Sequence, residues 1–95
     1  MECFNFRSHT SGTLQGFADV RVPNMGIELY GCAYHKKGDK EWVNLPSREY
    51  VDENGEKKYI STIKFIEKDD YHNFTKKLLL AVKQKAQAVE EPMDW

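Results

Sequence analysis

The chain has 95 residues, of which 40% are apolar and 31% charged, as in a single small globular domain and unlike a disordered segment. No apolar run is long enough to cross a bilayer, and residues 1–12 hold no basic stretch followed by an apolar one, so we expect neither a membrane span nor a secretory signal. The cysteines, Cys3 and Cys32, have no histidine pair at a metal-ligand spacing, which favours reduced thiols in a cytoplasmic protein.

The net charge of −1 is distributed unevenly along the chain. Residues 1–88 hold 14 Lys and Arg against 12 Asp and Glu, for a net charge of +2. Residues 89–95 hold three acids and no base, for a net charge of −3. A short acidic segment therefore follows a mildly basic body.

The first predicted element is a strand that begins at Thr13. Residues 1–12 lack clear periodicity and are assigned to an N-terminal arm, although the alternation of Phe4 and Phe6 is also compatible with a short strand. From Thr13 the sequence alternates with period two, so that aliphatic side chains such as Ala18 and Val20 share one face and Phe17 and Arg21 share the other. The Pro-Asn-Met-Gly sequence at 23–26 predicts a tight turn after this strand.

Two further strands are predicted next. In the second, Leu29, Gly31 and Ala33 are assigned to the core face, and the opposite face is assigned Tyr30, Cys32, Tyr34 and Lys36. The Lys-Lys-Gly-Asp-Lys sequence at 36–40 predicts a hairpin turn. In the third strand, Val43 and Leu45 point inward and Trp42 points outward, and Pro46 ends the strand or places it at an edge.

A fourth strand and a helix complete the predicted domain. The Asn54-Gly55 pair marks a turn, and the β-branched and aromatic residues of 59–66 predict a strand after it. A helix is predicted from about Glu67, with Asp69 or Asp70 as its cap, and Pro92 cannot continue its interior. We therefore predict an α+β fold with ββββα order: a curved four-stranded antiparallel sheet followed by one long C-terminal helix. The predicted domain spans 13–89 and is followed by an acidic tail over 90–95.

The apolar stripe on the helix is wider than one sheet face requires. Phe74, Leu78 and Val82 recur at helical spacing, and Leu79 and Leu80 broaden the stripe. A broad apolar arc on a small domain favours packing against a second copy, so we expect a homodimer.

The sequence gives no basis for expecting catalysis. The three histidines, His9, His35 and His72, fall on the arm, a strand end and the helix start, without a nearby nucleophile. No glycine-rich phosphate loop or paired-histidine zinc motif is present, and Asp69-Asp70 is better explained as a helix cap. We therefore predict a protein that is not an enzyme and that uses neither a metal nor an organic cofactor.

A set of aromatic and basic side chains is predicted to share the sheet surface opposite the helix. Rings interleaved with cations can hold single-stranded nucleic acid, because bases stack on the rings while the cations bind phosphates. The alternative is that the rings only pack against another protein layer. The predicted binding residues are Phe17, Arg21, Tyr30, Tyr34, Lys36, Lys37, Lys40, Trp42, Arg48, Lys57 and Lys58.

The stretch WVNLPSREYVDENGEKKYISTIKF, residues 42–65, resembles the central part of the SpoVG family. The matching features are a Leu45-Pro46-Ser47-Arg48 corner, a polar loop over 52–55, a strand and a following helix. The order of elements matches that family's layout over residues 17–82. The resemblance implies a small sheet-plus-helix dimer that binds nucleic acid, with Arg48 at the basic corner. The longer N-terminus and the absence of a basic C-terminal end depart from the family pattern.

Two weaker resemblances concern the strand order and the tail. The ββββα order is similar to that of the coactivator family that includes human positive cofactor four, which binds single strands on curved sheets of a dimer. The sequence EEPMDW resembles the acidic tip, with a terminal ring, of bacterial and phage single-stranded-DNA-binding proteins. That resemblance implies a segment that docks on partner proteins; the alternative is a frayed terminus. The residues assigned to it are Glu90, Glu91, Met93, Asp94 and Trp95.

These observations predict a phage or bacterial protein that binds single-stranded DNA without sequence preference, with RNA left open as a ligand. Its acidic tip would recruit replication or recombination proteins. Two alternatives remain: a SpoVG-like regulator that binds duplex DNA or RNA, and a phage protein-interaction or inhibitor module that does not bind nucleic acid.

Overall fold

A computed structural model describes residues 1–90, with side chains described through Gln87. The strands are β1 (Glu2–Ser11), β2 (Leu14–Val22), β3 (Ile27–Lys37), β4 (Lys40–Asn44), β5 (Ser47–Val51) and β6 (Lys57–Ser61). A turn of 3-10 helix, Pro23–Met25, separates β2 from β3, and the helix α1 spans Lys68–Glu90.

The first four strands form one antiparallel sheet in the order β1-β2-β3-β4, and α1 follows it in the chain. The predicted α+β fold, a four-stranded antiparallel sheet with one C-terminal helix, is confirmed. Short connections join neighbouring strands, and Gly12 and Gly38 have φ values of 59° and 63° in the first and third of them. Glycine adopts this left-handed conformation without the steric penalty that a Cβ atom would add.

The strands that make up the sheet differ from the predicted ones in two places. Residues 1–12, assigned to an arm, form the edge strand β1, whose residues 7–11 are all exposed and so show no apolar alternation. The fourth predicted strand becomes β6, which pairs only with β5 in a separate two-stranded sheet. We call β5, β6 and their connecting loop the hairpin; every residue of its two strands is exposed.

The core lies between one face of the four-stranded sheet and α1. Val20, Cys32, Leu78 and Val82 are its largest fully buried side chains. Burying an aliphatic side chain of this size contributes roughly 1.5–3 kcal/mol, so the helix is held mainly by its apolar stripe. Burial also raises the pKa of the Cys32 thiol to about 12, which keeps it protonated at neutral pH.

The charges at the start of α1 suit its direction. Asp69 and Asp70 lie in the first turn, where the partial positive charge of the helix N-terminus favours acids. The apolar stripe is not uniformly covered, because Leu79 packs against the core while Leu80 remains 62% exposed. Within residues 1–90, no helix combines the length and apolarity that a membrane crossing requires.

Candidate functional site

We call the side of the four-stranded sheet opposite α1 the open face. Four residues lie in register across it, one on each strand: Arg7, Phe17, Ala33 and Asn44. In the next row towards the β3–β4 turn, His35 pairs with Trp42. Phe17 and Trp42 therefore lie on this face, on which the sequence pattern also placed them.

A bulge in β3 reverses the side-chain alternation that a regular strand would have. Ala18 pairs with Cys32 but Val20 pairs with Leu29, so β3 holds one more residue than β2 between these pairs. Gly31 lies in this stretch with φ of 81°. Leu29 and Cys32 both face the core as a result, and every later residue of β3 changes sides relative to a regular alternation.

This bulge makes the predicted positions of Tyr34 and Lys36 wrong. Tyr34 is buried at 8% exposure, contacts the ring of Phe6 edge-on, and donates its hydroxyl to Glu41 Oε2 at 2.9 Å. Lys36 pairs with Glu41, which also contacts Lys83 of α1, so this pair belongs to the helix side. Ala33, predicted to face the core, lies instead on the open face beside Phe17.

The bulge is fixed by a buried carboxylate at the centre of the open face. Asp19, 6% exposed, accepts hydrogen bonds from Arg7 Nη1 at 2.7 Å, from Asn5 Nδ2 at 3.1 Å and from the backbone N–H of Gly31 at 3.0 Å. The hydrogen bond from Arg7 and these neighbours lower the pKa of Asp19 to about 2. The arginine and the bulge therefore stabilise each other through one side chain.

At one end of the open face, the positive charge of Arg21 is neutralised by nearby acids. Arg21 donates Nε to Glu28 Oε2 at 2.9 Å, approaches Glu2 at 3.4 Å and lies 4.8 Å above the ring of Phe4. Tyr30, 61% exposed, donates to Glu28 Oε1 at 2.8 Å. The hydrogen bonds from Tyr30 and Arg21 lower the pKa of Glu28. Both predicted binding residues here, Arg21 and Tyr30, thus lie on the predicted face but are engaged with acids.

The other end of the open face forms a groove of about 350 Å³ with the hairpin, which we call the hairpin groove. Tyr59, 70% exposed, stands on the hairpin side of it, and Phe17 stands on the sheet side. The remaining lining residues are Leu14, Ala33, His35, Asn44 and Ser47. The groove is therefore mainly apolar, with a few polar groups at its walls.

His35 connects the hairpin groove to Trp42. The two rings stack with centroids 5.3 Å apart and planes 5° from parallel. Thr13 Oγ1 is in hydrogen-bond contact with His35 Nδ1 at 2.9 Å, which fixes the imidazole plane. The two stacked rings thus extend the row of rings from the groove to the edge strand β4.

The predicted cations are dispersed around this end of the molecule. Lys37 and Lys40 pair across the β3–β4 turn, next to the His35–Trp42 stack. Lys57 lies 3.7 Å from Glu49, and Lys58 lies 3.2 Å from Asp52. Arg48 pairs with Ile60, one position out of phase with Tyr59, so it lies on the hairpin face turned away from the groove.

Of the seven residues that line the hairpin groove, the predicted binding set contained only Phe17 and missed Leu14, Ala33, His35, Asn44, Ser47 and Tyr59. A regular alternation would put Leu14 on the same face as Ala18 and Val20, but a register shift between Leu14 and Gly16 places it opposite His35. The glycine inside the β3 pattern was the available signal, since an isolated glycine in a strand often marks a bulge. No local pattern indicates that the hairpin folds next to Phe17.

The predicted tail lies almost wholly outside the described residues. Glu90 is the last residue of α1, and its side chain is outside the described set, as are Glu91, Met93, Asp94 and Trp95. Among the residues with described side chains, no group of three His, Cys, Asp or Glu could hold a metal ion.

Comparison with protein-family models, with curated proteins and with solved structures finds no match for this chain.

Proposed function

We propose that this protein binds single-stranded DNA without sequence preference in the hairpin groove and on the adjoining His35–Trp42 surface. The observation that carries the proposal is the cluster of accessible rings at one end of the open face. Phe17 and Tyr59 stand on the two sides of a solvent-open groove, and a stacked ring pair continues its surface.

Stacking on these rings supplies the affinity. Each base stacked on an aromatic side chain contributes roughly 1–3 kcal/mol and needs no particular base identity. A flat unpaired base can enter the space between Tyr59 and Phe17, whereas the bases of a duplex are already stacked on each other. The polar groups of Asn44 and Ser47 at the groove wall can bond whichever base edge is presented.

Phosphates are held by cations that lie beside this surface and carry no competing ion pair. Lys37 and Lys40 flank the Trp42 end, and neither forms a salt bridge with any described residue. Arg21 makes no such contribution, since Glu28 and Glu2 already neutralise it. The acidic residues 90–95 remain proposed as the segment that recruits replication or recombination proteins.

One observation favours the protein-interaction alternative. Arg7 and Arg21, the arginines of the open face, are both paired with acids, and residues 1–88 carry a net charge of only +2. A surface of rings and neutralised arginines is also suited to a protein ligand. The SpoVG-like hypothesis has duplex DNA or RNA as its ligand. Competition between single-stranded and duplex probes distinguishes it from the proposed binding of single-stranded DNA.

The test compares two exposed tyrosines at opposite ends of the open face. Tyr59→Ala removes a ring of the hairpin groove that is 70% exposed, whereas Tyr30→Ala removes a ring beside Glu28 that is 61% exposed. Binding of a labelled oligo-dT strand is measured by fluorescence anisotropy over a range of salt concentrations. We expect Tyr59→Ala to weaken binding by about five- to a hundredfold, the loss of one stacked base, and Tyr30→Ala to change it little.

Three outcomes would contradict the proposal. Absence of salt-sensitive binding by the unaltered chain at low ionic strength would remove single-stranded DNA as the ligand. Equal losses of affinity in the two variants would show that the binding site is the whole open face and not the hairpin groove. Stronger binding of a duplex than of a single strand would favour the SpoVG-like alternative.

A further inference from the structure

A second apolar depression lies on the helix side of the sheet, where α1 begins. We call it the methionine groove. Its volume is about 240 Å³, and its apolar lining consists of Met1, Val22, Met25, Phe65 and Phe74. Met25 is 53% and Met1 38% exposed. Methionine side chains adapt readily to an incoming apolar group, so such a lining suits a protein contact.

The residue that follows Phe65, a lining residue of this groove, has the most exposed large apolar side chain among the described residues. Ile66 is 99% exposed, although its neighbour Phe65 lines the groove and packs against the core. No described residue covers Ile66. The chain thus carries a projecting apolar side chain and an apolar depression next to each other.

We propose that a second copy of this chain covers the methionine groove, with Ile66 of each copy inserted into the groove of the other. A two-fold dimer needs a self-complementary patch: if residue i of the first copy contacts residue j of the second, residue j of the first also contacts residue i of the second. A projection adjacent to a depression meets that condition about an axis passing between them. A volume of about 240 Å³ accommodates an isoleucine side chain.

The charges at the rim of the groove support the same arrangement. Asp70 and Lys77 both line it and are two turns apart along α1. With the two-fold axis perpendicular to α1, the two helices run antiparallel, so Asp70 of one copy approaches Lys77 of the other, twice per dimer. Leu80, 62% exposed, lies one turn beyond Lys77 on the same side and extends the apolar edge of this interface.

This interface is independent of the hairpin groove. The methionine groove lies where α1 covers the sheet, whereas the hairpin groove lies on the open face. A dimer formed through Ile66 therefore leaves both copies of the open face accessible.

The test measures molar mass against concentration by sedimentation equilibrium, using the full chain. We expect a dimer of twice the 11.1 kDa chain mass. Ile66→Ser should weaken that dimer by roughly a hundredfold or more, because each dimer loses two buried isoleucines. The matched control is Ile60→Ser, which alters an isoleucine 48% exposed on the hairpin and should leave the dissociation constant unchanged.

A charge exchange tests the antiparallel arrangement. Asp70→Lys places two lysines opposite each other and should weaken the dimer; Asp70→Lys combined with Lys77→Asp should restore it. Thermal melts of each variant identify any loss of folding from the altered first helical turn. A monomeric unaltered chain, an unaffected Ile66→Ser dimer, or a dimer lost through Ile60→Ser would each overturn the proposal, the last by assigning self-association to the hairpin.

Discussion

At the scale of single residues, Asp19 has the largest influence on the open face. It is the only buried charged residue among the described ones, and it accepts hydrogen bonds from Asn5 and Arg7 of β1 and from the Gly31 N–H in the β3 bulge. Removing the carboxylate would leave Arg7 unpaired and the Gly31 N–H unsatisfied. Such a loss is costly because buried polar groups need partners.

The lowered pKa of Asp19 predicts a specific loss of stability in acid. A carboxyl with a folded pKa of about 2 and an unfolded value of 3.8 stabilises the fold above pH 4, and the contribution disappears as the pH falls from about 4 to about 2. Asp19→Asn should therefore lower the free energy of unfolding at pH 7 by on the order of 2 kcal/mol and flatten its decline in that window. Urea unfolding at several pH values measures both effects.

Glu28→Gln provides the comparison for Asp19→Asn, because Glu28 also contacts an arginine but is exposed to solvent. Its effect should be clearly smaller, as for exposed ion pairs generally. Equal effects of the two substitutions would show that burial of Asp19 contributes nothing.

At the scale of elements, the hairpin is joined to the rest of the chain at a narrow point. Thr62 donates its backbone N–H to Pro46 O at 3.1 Å and its hydroxyl to the same oxygen at 2.9 Å. The two ends of the hairpin are thus adjacent, and none of its strand residues is buried. The hairpin contributes little to the core while forming one wall of the groove.

Replacing residues 47–61 by a short glycine linker should therefore keep the fold and weaken binding. We expect the free energy of unfolding to change by about 1 kcal/mol or less, since no core side chain is removed, while affinity for oligo-dT falls at least as far as in Tyr59→Ala. Circular dichroism melts and anisotropy measure the two quantities. A deletion variant that fails to fold would assign the hairpin to the folding unit, and one that binds normally would exclude the groove as the site.

The elements that sequence could predict are those whose burial produces a regular period. Val20 and Val22 in β2 and Leu78 and Val82 in α1 follow strand and helix spacing because each element has one covered face. The pairing partners of β1 and β6 could not be predicted. Pairing between strands leaves no local sequence pattern, and the exposed strands of the hairpin show no alternation of apolar and polar residues. On the site, one bulge at Gly31 decided which β3 side chains reach the open face, so Tyr34 was misplaced and His35 was missed.

At the scale of the whole molecule, the uneven charge is the feature that bears on ligand binding. The body is mildly basic and residues 89–95 carry three acids without a base. A local negative charge repels a polyanionic strand from nearby cations, and salt screens this effect over roughly 8–10 Å at physiological ionic strength.

A chain ending at Val89 should consequently bind oligo-dT severalfold more tightly at low salt, with the difference vanishing at high salt. The matched control keeps full length but carries Glu90→Gln, Glu91→Gln and Asp94→Asn, and should reproduce the gain. If the truncated chain gains affinity and the neutralised one does not, charge is not the cause. If neither changes, the segment does not act on the DNA site.

The narrow attachment of the hairpin also has a consequence for how related sequences can diverge. Because both ends leave the body at Pro46 and Thr62, residues can be added to the hairpin in pairs without disturbing a core contact. Two residues added to each of β5 and β6 lengthen the hairpin by about 7 Å. The number of DNA nucleotides covered by one protein molecule would then depend on hairpin length alone, while the sheet and helix stay unchanged.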